Sequence, residues 1–168
     1  MARVEKLYLS NHTLDINIRR CNYSQFDFSE VEEFVRELVG SREYQFQAIK
    51  ELMIYLWGGS YKNINELAKE NFAKKEDIQN RFKTEENMLR NLPLPNRLSG
   101  VVHLATGTSK SYIMFALAYL SIVIGKTKRV LVLGPSSTVI ERGLWGKFRE
   151  HLYGPTGQRL QAKLPAKY

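Results

Sequence analysis

A lysine followed by a serine, Lys110-Ser111, closes the run Ala105-Thr106-Gly107-Thr108-Ser109, which joins a short apolar segment to a long one. A turn of this kind between a buried strand and a helix points consecutive backbone N–H groups at an anion, while the helix adds its positive amino end. In such a phosphate cradle Thr106, Gly107, Thr108 and Ser109 supply the loop and Tyr112 lies in the first turn behind it. Lys110 then neutralises charge on the β- and γ-phosphates of a nucleotide, and the Ser111 hydroxyl completes the coordination of Mg²⁺. The strict phosphate-loop pattern is broken at two places, with Leu104 at the first glycine position and Ser109 at the last. The Ser109 side chain puts a Cβ and a hydroxyl where the backbone must approach phosphate. Weakened nucleotide binding and badly impaired hydrolysis are the expected result.

The elements that must position this loop follow from hydrophobic spacing. Gly100-Val101-Val102-His103-Leu104 reads as a fully buried strand, Tyr112 to Gly125 as a core helix, Arg129 to Leu133 as a second strand, and a further helix starts near Thr138. Strand, helix, strand in this order implies a parallel, right-handed crossover, hence an α/β fold with a partial parallel sheet flanked by helices. Upstream, Ser29 and Glu32 make a capping-box pattern ahead of Val31, Phe34, Val35, Leu38 and Val39, which predicts a helix ending at Gly40. A second helix begins near Ser41 to Tyr44, carries Ala48, Ile49, Leu52, Met53 and Leu56, and ends at Gly58-Gly59. Tyr61 to Arg90 alternates charges with sparse apolar positions and reads as one or two solvated helices. Leu14, Ile16 and Ile18 suggest a strand or two in a small mixed amino-terminal segment, and Gly154, Gly157 and Pro165 suggest a loose tail. The domain reading is an amino-terminal segment, 1–40, and a nucleotide-binding unit, 41–168, with a helical insertion at about 60–92.

Composition narrows the function classes. The 168 residues, 43% hydrophobic and 25% charged, are those of a globular chain. No apolar run reaches the roughly eighteen residues of a membrane span and no secretory pattern opens the sequence, so a cytoplasmic location is expected. Cys21 is alone and cannot pair internally. His103 reads as a packed core histidine, Trp57 and Trp145 as packing residues, and no spacing of His, Cys and acids suggests zinc. From Arg97 onward eleven Lys and Arg face only Glu141 and Glu150, so the last 72 residues carry +9 and the first 96 sum to −1 of the net +8. Clustered cations gain by releasing counterions from a polyanion, which points to nucleic acid.

With these residues in view, Leu104 to Tyr112, "LATGTSKSY", resembles motif I of superfamily-two DEAD/DEAH-like helicases, and most of all that of the type III restriction enzyme Res subunit. Arg42-Glu43-Tyr44-Gln45 followed by Ala48-Ile49 is similar to the family's adenine-recognition motif. The resemblance implies that Gln45 reads the adenine edge, with Arg42 and Tyr44 bordering the base. Arg129 to Thr138 is similar to motif Ia, which implies contact of Ser136, Ser137 and Thr138 with a DNA backbone, without base-sequence readout. The three motifs lie between residues 42 and 148 and correspond to the amino-terminal part of a first RecA-like (P-loop NTPase) domain. ATP and Mg²⁺ are the implied cofactors, DNA the implied partner, and a modification methyltransferase subunit a further one. No Asp-Glu pair follows Lys110, although the family uses such a pair to hold Mg²⁺ and polarise the attacking water. The reading is of an ATP-binding fragment of a DNA helicase or translocase, a hydrolase family, that does not complete hydrolysis. Its rivals are a non-catalytic nucleic-acid or partner-binding module and a degenerate fragment.

Overall fold

Apolar residues at helical spacing give helices in the amino-terminal half. The computed structural model describes residues 14–92, 94–102 and 110–168. Helix α1 (Glu32–Val39) buries Phe34, Val35, Leu38 and Val39, and it stops at Gly40, whose φ of 60° a side chain disfavours. The capping box expected from Ser29 and Glu32 does not form. Asp27 instead caps a 3-10 turn, Phe28–Glu30, by accepting from the Ser29 amide at 2.9 Å, and α1 starts at Val31 without a side-chain cap. Helix α2 (Glu43–Trp57) buries Phe46, Ile49, Met53 and Ile54 against α1.

The charged stretch that follows forms three short helices rather than one or two: α3 (Ile64–Lys74), α4 (Glu76–Phe82) and α5 (Glu85–Arg90). Local chemistry separates them. Asn63 caps α3, Thr84 caps α5, and Lys83 takes a positive φ of 64° at the end of α4. Their apolar sides close two satellite clusters, one around Tyr55, Tyr61, Ile64 and Leu67 and one around Ala68, Ile78 and Met88. A polar node ties this group to the preceding segment. The Glu70 carboxylate accepts from Lys74, from Arg20 at 2.7 Å, from the Tyr61 hydroxyl at 2.9 Å and from Asn17 at 3.3 Å. These donors, Lys74 foremost, hold its pKa down at about 2 against the opposing pull of burial.

Helix α6 (Lys110–Val123) is apolar on most sides, the pattern of a helix with neighbours all round. Ile113, Phe115, Ala116 and Leu120 enter the main core beside the buried residues of α1 and α2. Tyr119 stacks on Phe34 at 5.4 Å and on Phe115 at 5.5 Å. A π-helical stretch, Val139–Trp145, runs directly into α7 (Gly146–Tyr153). The tail is not loose: Pro155, fitted by its fixed φ to a first helical position, opens α8 (Pro155–Gln161). Leu160 of α8 is fully buried in the main core. No helix among the described residues is long and apolar enough to cross a membrane.

The expected parallel sheet, and with it the RecA-like α/β architecture, is overturned: among the described residues there is no strand, and the fold is helical. Gly100 to Val102 and Arg129 to Leu133 carry no regular secondary structure, and the rest of the first proposed strand lies outside the described residues. Val101 is 86% exposed, Leu131 82% and Leu133 78%, whereas a central parallel strand is covered on both faces. An apolar pentapeptide has the local preference for a strand, but its N–H and C=O groups make one only when a neighbour accepts and donates in register. Here Val130 to Leu133 instead lines, with Leu56 and Trp57 of α2 and Met114 and Leu117 of α6, a groove of about 340 Å³. The proposed amino-terminal strands fare similarly. Residues 1–13 lie outside the described part, and Ile18–Arg20 is a 3-10 turn capped by Asn17.

Candidate nucleotide site

Two segments about seventy residues apart in sequence meet at the starts of α2 and α6. Arg42, the residue before α2, donates from Nη1 to the Val39 carbonyl at 3.0 Å, and its guanidinium lies 4.7 Å from the centre of the Tyr112 ring. A planar cation over an aromatic face is attracted by the ring's quadrupole, and partial burial strengthens the contact. Tyr112 stands two residues past Lys110, so the residue before α2 touches the first turn of α6. Lys110 is exposed at the amino end of a 14-residue helix, and Ser111 is half-buried beside it. The positive end of the helix, a cation and a hydroxyl are thus gathered at one place, a combination that suits phosphate and an accompanying Mg²⁺.

The other expected residues are placed differently. Gln45 is completely buried, with its amide nitrogen 3.5 Å from the Tyr44 hydroxyl, while the Tyr44 ring is half exposed. Thr106, Gly107, Thr108 and Ser109 lie outside the described residues, as does His103. Ser136, Ser137 and Thr138 are exposed where the helix leading to α7 begins, and Ser136 Oγ accepts from the Val139 amide at 3.3 Å. That bond is an amino-terminal cap, and it leaves the Ser137 and Thr138 hydroxyls facing outward. Among the described residues no group of three or more His, Cys, Asp or Glu side chains is placed to hold a metal ion.

A participant that the sequence did not single out is His151 of α7. Its ring lies 5.1 Å from that of Tyr112 and 5.0 Å from that of Phe115, and Phe148 packs edge-on against Phe115 at 5.3 Å. The signal available in the sequence was the spacing Phe148, His151, Leu152, one face of a helix that also carries Lys147, Arg149 and Glu150. Burial pushes the His151 pKa down, with Glu150 opposing and Lys147 assisting, so the ring is neutral near pH 7.

The basic half of the chain is partly spent internally. Arg159, Lys163 and Lys167 pair with Glu37, Glu33 and Glu30 at 3.9, 3.7 and 2.6 Å, a ladder that straps α8 and the tail to the acidic side of α1 and the 3-10 turn before it. These three cations are less available to a polyanion than their count suggests. The surface left for that purpose carries Lys128, Arg129, Arg142, Lys147 and Arg149, which sit on the same stretch as the exposed hydroxyls.

No curated protein and no solved structure matches the chain. The family described as "Type III restriction enzyme, res subunit" matches residues 38–161, a span that contains the Arg42 and Tyr112 contact and His151. With well over half of its length matched, the chain belongs to the type III restriction enzyme Res subunit family.

Proposed function

We propose that the chain binds an adenine nucleotide at the start of α6 and serves as the ATP-binding part of a DNA helicase or translocase of the Res type. The observation that carries this reading is the contact of Arg42 with Tyr112 at 4.7 Å. It joins the segment resembling an adenine-recognition motif to the helix that begins with Lys110 and Ser111. In this reading Lys110 meets the β- and γ-phosphates, Ser111 Oγ is one oxygen ligand of Mg²⁺, and Arg42, Tyr44 and Gln45 border the base. Thr106 to Ser109 supply the loop, and Tyr112 fixes the distance between its two sides. Bound Mg²⁺ would neutralise phosphate charge.

The chain's own residues do not complete hydrolysis in this account. No Asp-Glu pair follows Lys110, and Ser109 stands in the sequence where the phosphate-loop pattern has its last glycine. DNA would be held along its backbone by Ser136, Ser137 and Thr138 with the neighbouring cations, in the cytoplasm and beside a modification methyltransferase subunit. The full burial of Gln45 favours a second reading, a nucleic-acid or partner-binding module that no longer takes nucleotide. Calorimetric titration of the chain with ADP and ATP, with and without Mg²⁺, separates the two. Saturable binding supports the first reading, and no heat at any concentration together with retained DNA binding supports the second.

A further inference from the structure

Tyr112 is shared between two partners of different character. The Arg42 guanidinium approaches its ring from the start of α2, and the His151 ring approaches it from α7. His151 is only 9% exposed, and among the described residues its Nδ1 is buried with no hydrogen-bond partner. A buried imidazole whose Nδ1 has no partner favours the neutral ring, because a proton added there would carry charge into a buried place with no acceptor for its N–H. That charge would also stand beside a tyrosine already engaged by a cation. The charged groups on the elements packed around it are Glu150 and Lys147 on α7 itself, Lys110 on α6 and Arg42 before α2. On α8 there is Arg159, which pairs with Glu37 of α1. Burial is what favours the neutral form; of the two charges that act on the ring, Glu150 opposes it and Lys147 supports it.

We propose that His151 is a positioning residue for the nucleotide site: its neutral ring holds Tyr112 against Arg42, and protonation releases that contact and weakens nucleotide binding. The inference rests on the nucleotide reading for its functional consequence and on the packing alone for its structural one. His151 touches neither phosphate nor base in this account; it acts through Tyr112. Linkage sets the sign. If the bound state requires the neutral ring, acidification draws protons onto the free state and affinity falls with pH.

The test compares the wild-type chain with His151→Phe, which keeps an aromatic ring but cannot protonate, and with His151→Gln as a second variant should the phenylalanine overpack. Fluorescent ADP is titrated against each between about pH 7.5 and about pH 5. Wild-type affinity is expected to fall about threefold or more across that range, and His151→Phe to be flat and close to wild type at the upper end. His12 and His103 are retained in every protein, so their titration cancels in the comparison. An equal acid loss in His151→Phe overturns the proposal. A second readout needs no nucleotide: the Arg42 guanidinium Nε–H resonance should titrate together with the His151 ring in the wild type and stay fixed in His151→Phe. If no protein binds ADP at any pH, the nucleotide reading fails while coupled titration still supports the positioning role. An Arg42 resonance indifferent to both pH and substitution refutes it.

Discussion

Replacing Gly157 with alanine should destabilise the chain, although alanine is the better helix former. Gly157 lies in α8, and a Cβ built there would come within 2.7 Å of the His151 carbonyl oxygen and of the Leu152 carbonyl carbon and oxygen. Ordinary contact begins near 3.4 Å, so α8 would have to withdraw from α7 by about 0.7 Å. All three opposing atoms are backbone and cannot swing aside. Leu160 sits one turn further along α8, fully buried in the main core, and would be drawn out with it. Overpacking of this kind costs about 1–3 kcal/mol, while exchanging glycine for alanine inside a helix returns about 0.5–1 kcal/mol. The net expectation is a loss of about 1–2 kcal/mol, or a fall in Tm of roughly 3–8 °C for a chain of this size. Gly146→Ala is the matched control. Gly146 is already helical, with φ −57° and ψ −46°, and a Cβ there meets nothing within 4 Å. It should gain about 0.5–1 kcal/mol. Circular dichroism melts and urea titrations of the three proteins read both signs. A neutral or stabilising Gly157→Ala would refute the close seating of α8 on α7, and with it the packing that holds His151.

Glu70 gives a prediction in acid. Its folded pKa of about 2 lies below the ordinary 4.5, so its contribution is complete above pH 4.5 and is lost as the pH falls towards 2. The stability difference between wild type and Glu70→Gln, followed by urea titration, should therefore shrink across that window; a constant difference would show that the node does not depend on the carboxylate charge. Single-stranded DNA should bind weakly and without sequence preference, with affinity falling steeply as salt rises, as anisotropy with two unrelated oligonucleotides will show. Alanine at both Ser136 and Ser137 should lower that affinity modestly, Arg42→Ala should leave it unchanged, and binding that survives high salt would contradict the backbone-contact reading. Losing the Ser136 cap should by itself cost about 0.5–2 kcal/mol of stability in a thermal melt, and an unchanged melt would remove the cap from the account.

Helices α1 and α2 were legible because their apolar residues recur at helical spacing, and α6 because its apolar run is too long for a strand. Gly40 marks the end of α1 as expected, and Gly125, with φ 73°, closes the turn that follows α6. The strands were misread because Val101-Val102 and Val130 to Leu133 have strand composition, whereas pairing depends on a neighbour that no local window contains. Tail residues misled for the opposite reason. Gly154 and Gly157 are punctuation in a loop, yet here Gly154 stands just before α8 and Gly157 permits the approach of α8 to α7. In the candidate site the sequence named Arg42 and Tyr112 separately, but their contact spans about seventy residues and is visible only once α2 packs on α6. His151 escaped because one histidine among charges carries no motif. Its role depends on which face of α7 is buried.

The central claim, that α6 begins a nucleotide site, is tested most directly by calorimetric titration of Mg-ADP into the wild-type chain and into Lys110→Ala. A lysine-to-phosphate contact contributes about 1.5–3 kcal/mol, so the variant should bind about ten- to a hundredfold more weakly than a saturable, modest wild-type affinity. Equal affinity in the two proteins, or a wild-type chain that takes up no nucleotide at all, would contradict it.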